Sequence, residues 1–272
     1  MFRRTRHVLG LTAVLAGTLA VAAQPALAAQ PIQPAQPVRA AQPAPSMTIG
    51  GGDGILVQVH NPTDPNTLHY EICTLTAVGY DAAGNLVGLT NAHCFIDPAG
   101  NKLVGDKVYK TTAPSGQGLS AAPLPTAQQV VHDAAAGAVG TSTYVSTPNN
   151  LASGGPAGLD YAVIQLDPTK VAPTNTVGGV TITSIGDIPP VGTRICKQGW
   201  RTGLTCGVLT GSDPIWFTSL IWTWGGDSGS PTVAGNTLIG NAWGAFHHTR
   251  ITSILADLNA RGGVGAGFHL AP

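Results

Sequence analysis

The chain has 272 residues, with 13 basic and 13 acidic side chains and no net charge. Charged residues make up only 10 %, against about 25 % in an ordinary soluble domain, while Gly (36) and Pro (21) are abundant. Balanced charge without a Lys/Arg cluster excludes a basic nucleic-acid-binding patch, 43 % apolar content excludes intrinsic disorder, and a single Glu with five Lys argues against a helical bundle.

The chain opens on Arg3, Arg4, Arg6 and His7, followed by an uncharged, mostly apolar run from Val8 to Ala23. Ala26-Leu27-Ala28 then offers small residues where a signal peptidase reads them, so residues 1–28 are expected to be a secretory signal peptide. The run is shorter than the roughly 20 apolar residues of a spanning helix, which argues against a membrane anchor. Removing 1–28 takes away three Arg and no acid, leaving 10 basic against 13 acidic groups. The expected product is a soluble protein outside the cytoplasm, secreted or in the cell envelope, with no stable membrane anchor. Residues 29–48 are rich in Ala, Pro and Gln and are expected to form an extended linker or a short propeptide.

From Ile49 onward, short apolar runs alternate with Gly, Pro, Asn and Asp. Ile55–Val59, Glu71–Val78, Leu86–Leu89, Tyr161–Leu166, Val180–Ile185, Cys206–Leu209 and Thr237–Gly240 read as strands, and Tyr80–Asn85 as a hairpin loop. This predicts an all-β body large enough for two small barrels. Ile251, Ile254, Leu255 and Leu258 share one helical face, predicting a single helix over 251–261. Thr249, Thr252 or Ser253 is expected to cap it and Gly262-Gly263 to stop it, with a last strand near 264–270.

The body holds four cysteines, Cys73, Cys94, Cys196 and Cys206, an even count that suggests two disulfides in an exported chain. Three pairings are open; Cys73–Cys94 and Cys196–Cys206 each close a short loop within one half. A four-thiolate zinc site is the rival, but there is no C-x₂-C pair.

Three segments carry chemistry. Gly225-Gly226-Asp227-Ser228-Gly229-Ser230-Pro231 offers a serine among glycines that let backbone amides converge on one point. A serine hydroxyl needs a base beside it. Thr90-Asn91-Ala92-His93-Cys94 supplies a histidine at the end of an apolar strand, next to a cysteine able to anchor it. Gly158-Leu159-Asp160-Tyr161-Ala162 supplies an acid opening an apolar strand, and a buried Asp wants a partner. Asp97, Asp133 and Asp167 are rivals in more turn-like settings, and no H-E-x-x-H is present. The order His93, Asp160, Ser228 is that of chymotrypsin-type hydrolases.

On these residues the chain resembles the chymotrypsin-like serine peptidase family, most of all its secreted bacterial branch of streptogrisins and α-lytic protease. TNAHC, LDYAVIQL, GGDSGSP and the Cys196–Cys206 hairpin (CKQGWRTGLTCG) each resemble a family motif, over about residues 50–270. The resemblance implies two six-stranded antiparallel β-barrels with a short C-terminal helix, in a domain of 49–272: barrel 1 about 49–170, barrel 2 about 176–272. It implies Ser228 as nucleophile, His93 as general base, Asp160 as its orienting partner and the amides of Gly226 and Ser228 as oxyanion hole. It implies action on a peptide or protein, without metal or organic cofactor; the chain is expected to be a monomer.

The chain also departs from the family pattern. Ser230 stands where the motif usually has Gly, and Ala242 where a serine commonly supports the catalytic Asp. Trp222, Trp224, Trp243 and Gly244 are expected to line the substrate cleft, the three tryptophans making the primary pocket shallow or apolar; the alternative for the tryptophans is core packing. Ile49-Gly-Gly-Gly resembles a processed amino terminus whose ammonium would pair with Asp227; Lys197 is expected to fill that role instead, so that no cleavage is needed. The alternative reading is a catalytically weak or inactive chymotrypsin-fold binding module.

Overall fold

The structure, a computed structural model, describes Pro45 and residues 47–118, 120–149 and 158–272. The expected signal peptide lies outside the described residues, as does the 29–48 segment apart from Pro45, Met47 and Thr48. Among the described residues, no helix is long and apolar enough to cross a membrane.

The first half carries β1 (Met47–Gly50), β2 (Gly54–His60), β3 (His69–Thr74), β4 (Ala77–Tyr80), β5 (Leu86–Thr90), β6 (Lys107–Lys110), β7 (Gly140–Val145) and β8 (Ala162–Leu166). Their order is β4-β5-β8-β7-β6-β2-β3, antiparallel throughout. The two ends of that order, β3 and β4, are consecutive stretches of one segment interrupted only at Leu75-Thr76, so the sheet closes as a six-stranded barrel.

The second half carries β9 (Val171–Thr174), β10 (Thr176–Val177), β11 (Val180–Thr181), β12 (Ser184–Ile185), β13 (Arg194–Gly199), β14 (Gly203–Ser212), β15 (Trp216–Ser219), β16 (Pro231–Ala234), β17 (Thr237–Gly244) and β18 (His247–Arg250). Strands β17-β16-β13-β14-β15-β18 form a second antiparallel ring, which the β17–β18 pairing closes. Within that ring every strand has a neighbour on both sides. The last strand, β19 (His269–Leu270), pairs with β4, so the chain ends on the first barrel's sheet rather than the second's.

Strand periodicity explains how β8 serves two cores. Ala162, Ile164 and Leu166 face the first barrel's interior, with Ile55, Val57 and Leu75. Tyr161 and Val163 face the other way, into a cluster with Val180, Val233, Leu238, Ile251, Ile254 and Leu258 that joins both barrels to the terminal helix. A strand segment buried on both faces reads as a continuous apolar run, as Tyr161–Ile164 does, before the exposed Gln165.

Two helices depart from or refine the expectations. α1 (Ala127–Ala135) lies where none was expected; Thr126 Oγ1 caps it by accepting the Gln129 N–H at 3.2 Å. α2 (Ile251–Arg261) has the expected bounds and buries Ile251, Ile254 and Leu258. Its N-cap is Arg250, with no side-chain cap, rather than Thr249, Thr252 or Ser253. Gly262, at φ 74°, ends it as expected.

Candidate active site

The β5–β8 register brings the histidine to the acid. Thr90 at the end of β5 lies opposite Ala162 at the start of β8, so the residues just beyond each meet. His93 opens a single 3₁₀ turn, His93–Phe95, and Cys94 beside it is bonded to Cys73 of β3. Asp160 is fully buried, and its two oxygens both go to His93: Oδ2 lies 2.8 Å from Nδ1, and Oδ1 accepts the backbone N–H at 2.9 Å. That pairing fixes ring and backbone together. Asp160 sits at φ 51°, a left-handed conformation uncommon outside glycine, although Asp adopts it more readily than most residues. It is held there by its own N–H, donated to Thr147 O at 3.0 Å, and by Asn91 Nδ2, which donates to Asp160 O at 2.7 Å.

Burial pulls the His93 pKa down, but the charge and hydrogen bond of Asp160, with a further contribution from Glu71, outweigh it and hold the imidazole above its usual value. The His93 side chain remains about one-third exposed (32 %), so the ring borders the solvent.

Ser228 lies on the turn leading into β16, and the first barrel grips that turn. Thr74 N–H donates to Ser228 O at 2.7 Å, Thr74 Oγ1 to Gly226 O at 2.7 Å and Thr76 Oγ1 to Gly229 O at 2.7 Å. Gly226 and Gly229, at φ 102° and 89°, supply the turn's left-handed positions. A side chain at Gly229 would meet Thr74 O at 2.1 Å and Thr90 Oγ1 at 2.4 Å. The turn is therefore pressed against the strand end that leads to His93.

Ser230 N–H donates to Asp227 O at 2.8 Å, and Ser230 Oγ donates to the same oxygen. In a trans peptide this turns the Ser228 N–H the opposite way. Among the described residues neither the Gly226 nor the Ser228 N–H has an acceptor, and Ser228 Oγ has no hydrogen-bond partner. The structure thus brings His93 and Asp160 into contact, and places Ser228 nearby without a hydrogen bond to the imidazole. Ala242, fully buried, braces the turn through its backbone: its O accepts the Gly229 N–H at 2.8 Å and its N–H reaches Ser230 O at 3.0 Å.

Beneath the turn, Lys197 and Asp227 form a fully buried pair with Nζ–Oδ2 at 2.8 Å. Burial lowers the lysine's pKa, against the pull of Asp227. Asp227 also accepts from Thr202 Oγ1 (2.9 Å), Thr202 N–H (3.0 Å) and Trp224 N–H (3.1 Å), which satisfies both its oxygens. Ile49, meanwhile, is buried in β1, opposite Pro173 of β9.

The remaining expectations divide. The disulfides are Cys73–Cys94 and Cys196–Cys206. The sulfurs of Cys73 and Cys94 lie within 4.8 Å of a His93 nitrogen but are bonded to each other, so they offer no thiolate ligands. Among the rival acids, Asp97 closes a turn onto Asn101 and Asp167 one onto Thr169. Asp133 is not in a turn; it is buried on α1, bonded to Thr111 and Thr112. The three tryptophans do not surround one pocket. Trp222 and Trp224 are about half exposed beside Leu220 and Phe246, whereas Trp243 lines a separate groove with Trp216 and His247. Gly244 ends β17, and a side chain there would meet open space. Glu71 and Arg201, neither singled out in the sequence, share a cleft with Gly226.

No family model matches the chain, and no curated protein matches it by sequence. Solved structures do match. A protease from Nocardiopsis superposes with a TM-score of 0.51 at 17 % identity, over 78 % of this chain and 97 % of its own. Protease A of Thermobifida fusca gives 0.50 at 17 % identity, over 77 % and 95 %. This likeness establishes the fold, the two-barrel chymotrypsin-like architecture expected from the motifs.

Proposed function

We propose that this chain is a secreted serine endopeptidase that cuts peptide bonds through a covalent acyl-enzyme on Ser228. The observation that carries the reading is the double bond of Asp160 to the His93 ring and backbone, set beside a serine turn with two unclaimed N–H groups. In this reading Ser228 Oγ attacks the scissile carbonyl while His93 Nε2 takes its proton. Asp160 keeps Nδ1 protonated and stabilises the imidazolium. The Gly226 and Ser228 N–H groups receive the oxyanion, and His93 then protonates the departing amine. Water repeats the cycle on the acyl-enzyme. The Ser228 hydroxyl has to rotate onto His93, a contact often long in ligand-free sites.

The two disulfides suit the oxidising surroundings of an exported protein. The satisfied Lys197–Asp227 pair supports activity without a new amino terminus at Ile49. One observation favours the rival reading of a non-catalytic binding module, namely the missing bond between Ser228 Oγ and the imidazole. Incubating the secreted protein with a denatured protein substrate separates the two. The account expects peptide release that disappears in Ser228→Ala; intact substrate, or equal release by Ser228→Ala, overturns it.

A further inference from the structure

A cleft of about 410 Å³ beside the serine turn carries charges that the proposed chemistry leaves unused; Tyr70, Glu71, Leu124, Arg201, Trp224 and Gly226 line it. Arg201 is held at its edge from two sides. Its carbonyl accepts the Ala122 N–H at 2.7 Å, and a Cβ placed on Gly226 would come 3.4 Å from Arg201 Cβ. Arg201 therefore stands against the glycine whose N–H faces the expected oxyanion.

Among the described residues no carboxylate lies within ion-pair distance of its guanidinium, and its Nε is buried without a partner. A partly buried guanidinium without a counter-charge is costly, and its planar fork matches a carboxylate. The cleft also lies on the histidine's side of the turn, because Glu71 in its wall stands two residues before Cys73, the disulfide partner of Cys94 next to His93. In the proposed reaction His93 hands its proton to the departing amine, so this side faces the leaving group.

We propose that Arg201 reads a carboxylate on the departing part of the substrate, within the first two residues beyond the scissile bond. The inference rests on the serine peptidase reading above. Glu71 repels an acid close to His93 and leaves the Arg201 end of the cleft for it. The carboxylate has two sources, an Asp or Glu side chain or the substrate's own C-terminus.

The test begins with wild-type protein and a fluorophosphonate, which reports on Ser228 without occupying the leaving-group side. A peptide library, in free-acid and C-terminally amidated forms, is then cut by wild type, Arg201→Gln and Arg201→Glu. Wild type is expected to favour Asp or Glu over Ala at one of the two positions about ten- to a hundredfold, or to favour free-acid over amidated peptides by the same factor. Arg201→Gln is expected to abolish the preference and Arg201→Glu to turn it toward Lys and Arg. A preference kept in amidated peptides assigns a side chain, and one confined to free acids assigns the C-terminus; both support the proposal. A labelled wild type without acid preference, or with the same preference in Arg201→Gln, overturns the proposal and leaves the peptidase reading standing. An unlabelled wild type that cuts nothing overturns both.

Discussion

Thr74 of the first barrel donates its backbone N–H to the carbonyl of Ser228 in the second, at 2.7 Å. Its hydroxyl donates to Gly226 O at 2.7 Å and accepts the Trp200 N–H at 3.0 Å. One threonine thus sets two carbonyls of the serine turn. Thr74→Val keeps the shape and the backbone bond but strands two buried groups. Each buried group left unsatisfied costs about 1–3 kcal/mol, so urea unfolding is expected to shift by an amount of that order. The rate of hydrolysis is expected to fall about tenfold or more as the turn loosens. Unchanged stability and rate would mean that the latch is incidental.

Lys197 is expected to be the internal counter-ion that makes processing before Ile49 unnecessary. Lys197→Met leaves Asp227 buried and unpaired, which costs about 3–5 kcal/mol. Denaturant midpoints should fall accordingly, and wild-type protein retaining residues upstream of Ile49 should be active. Abrupt activation on cutting between Thr48 and Ile49 would show the opposite arrangement.

The pH profile follows from the charges around His93. A general base works when neutral, and Asp160 and Glu71 hold the imidazole above 6.5 against the effect of burial. The acid limb of kcat/KM is therefore expected to inflect above 6.5. Glu71→Gln removes one anion that favours the imidazolium, so the limb should move to lower pH; a move to higher pH would contradict this assignment.

His248 predicts a different pH effect, on stability. It is fully buried, stacked on Phe217 and bonded to Ser219 and Thr232, and burial depresses its pKa to about 3 from 6.5. The unfolded chain binds the proton first, so the contribution is complete above 6.5 and is lost as pH falls toward 3. Between those values it steepens the loss of stability by about 1.4 kcal/mol per pH unit. Against wild type, His248→Gln should flatten the dependence in that window; an identical slope would exclude His248 as its source.

Much of the candidate site was legible because each of its three residues sits in a short motif beside a structural anchor. His93 precedes a disulfide cysteine, Asp160 opens a strand apolar on both faces, and Ser228 lies among glycines that the turn needs. The helix face of Ile251, Ile254 and Leu258 was equally plain. What the sequence hid is long-range. The reach of Thr74 and Thr76 across about 150 residues leaves no local trace, and the exposure of Trp222 and Trp224 depends on how the second barrel closes. α1 did leave a signal, Thr126 followed three residues later by Gln129, but the many surrounding turn residues masked it.

The most direct measurement is mass spectrometry of the folded protein after treatment with a fluorophosphonate. The account predicts one covalent adduct, on the peptide containing Ser228, absent from Ser228→Ala and slowed by at least about a thousandfold in His93→Ala. Folded wild-type protein that remains unmodified, or that labels equally fast without His93, would contradict it.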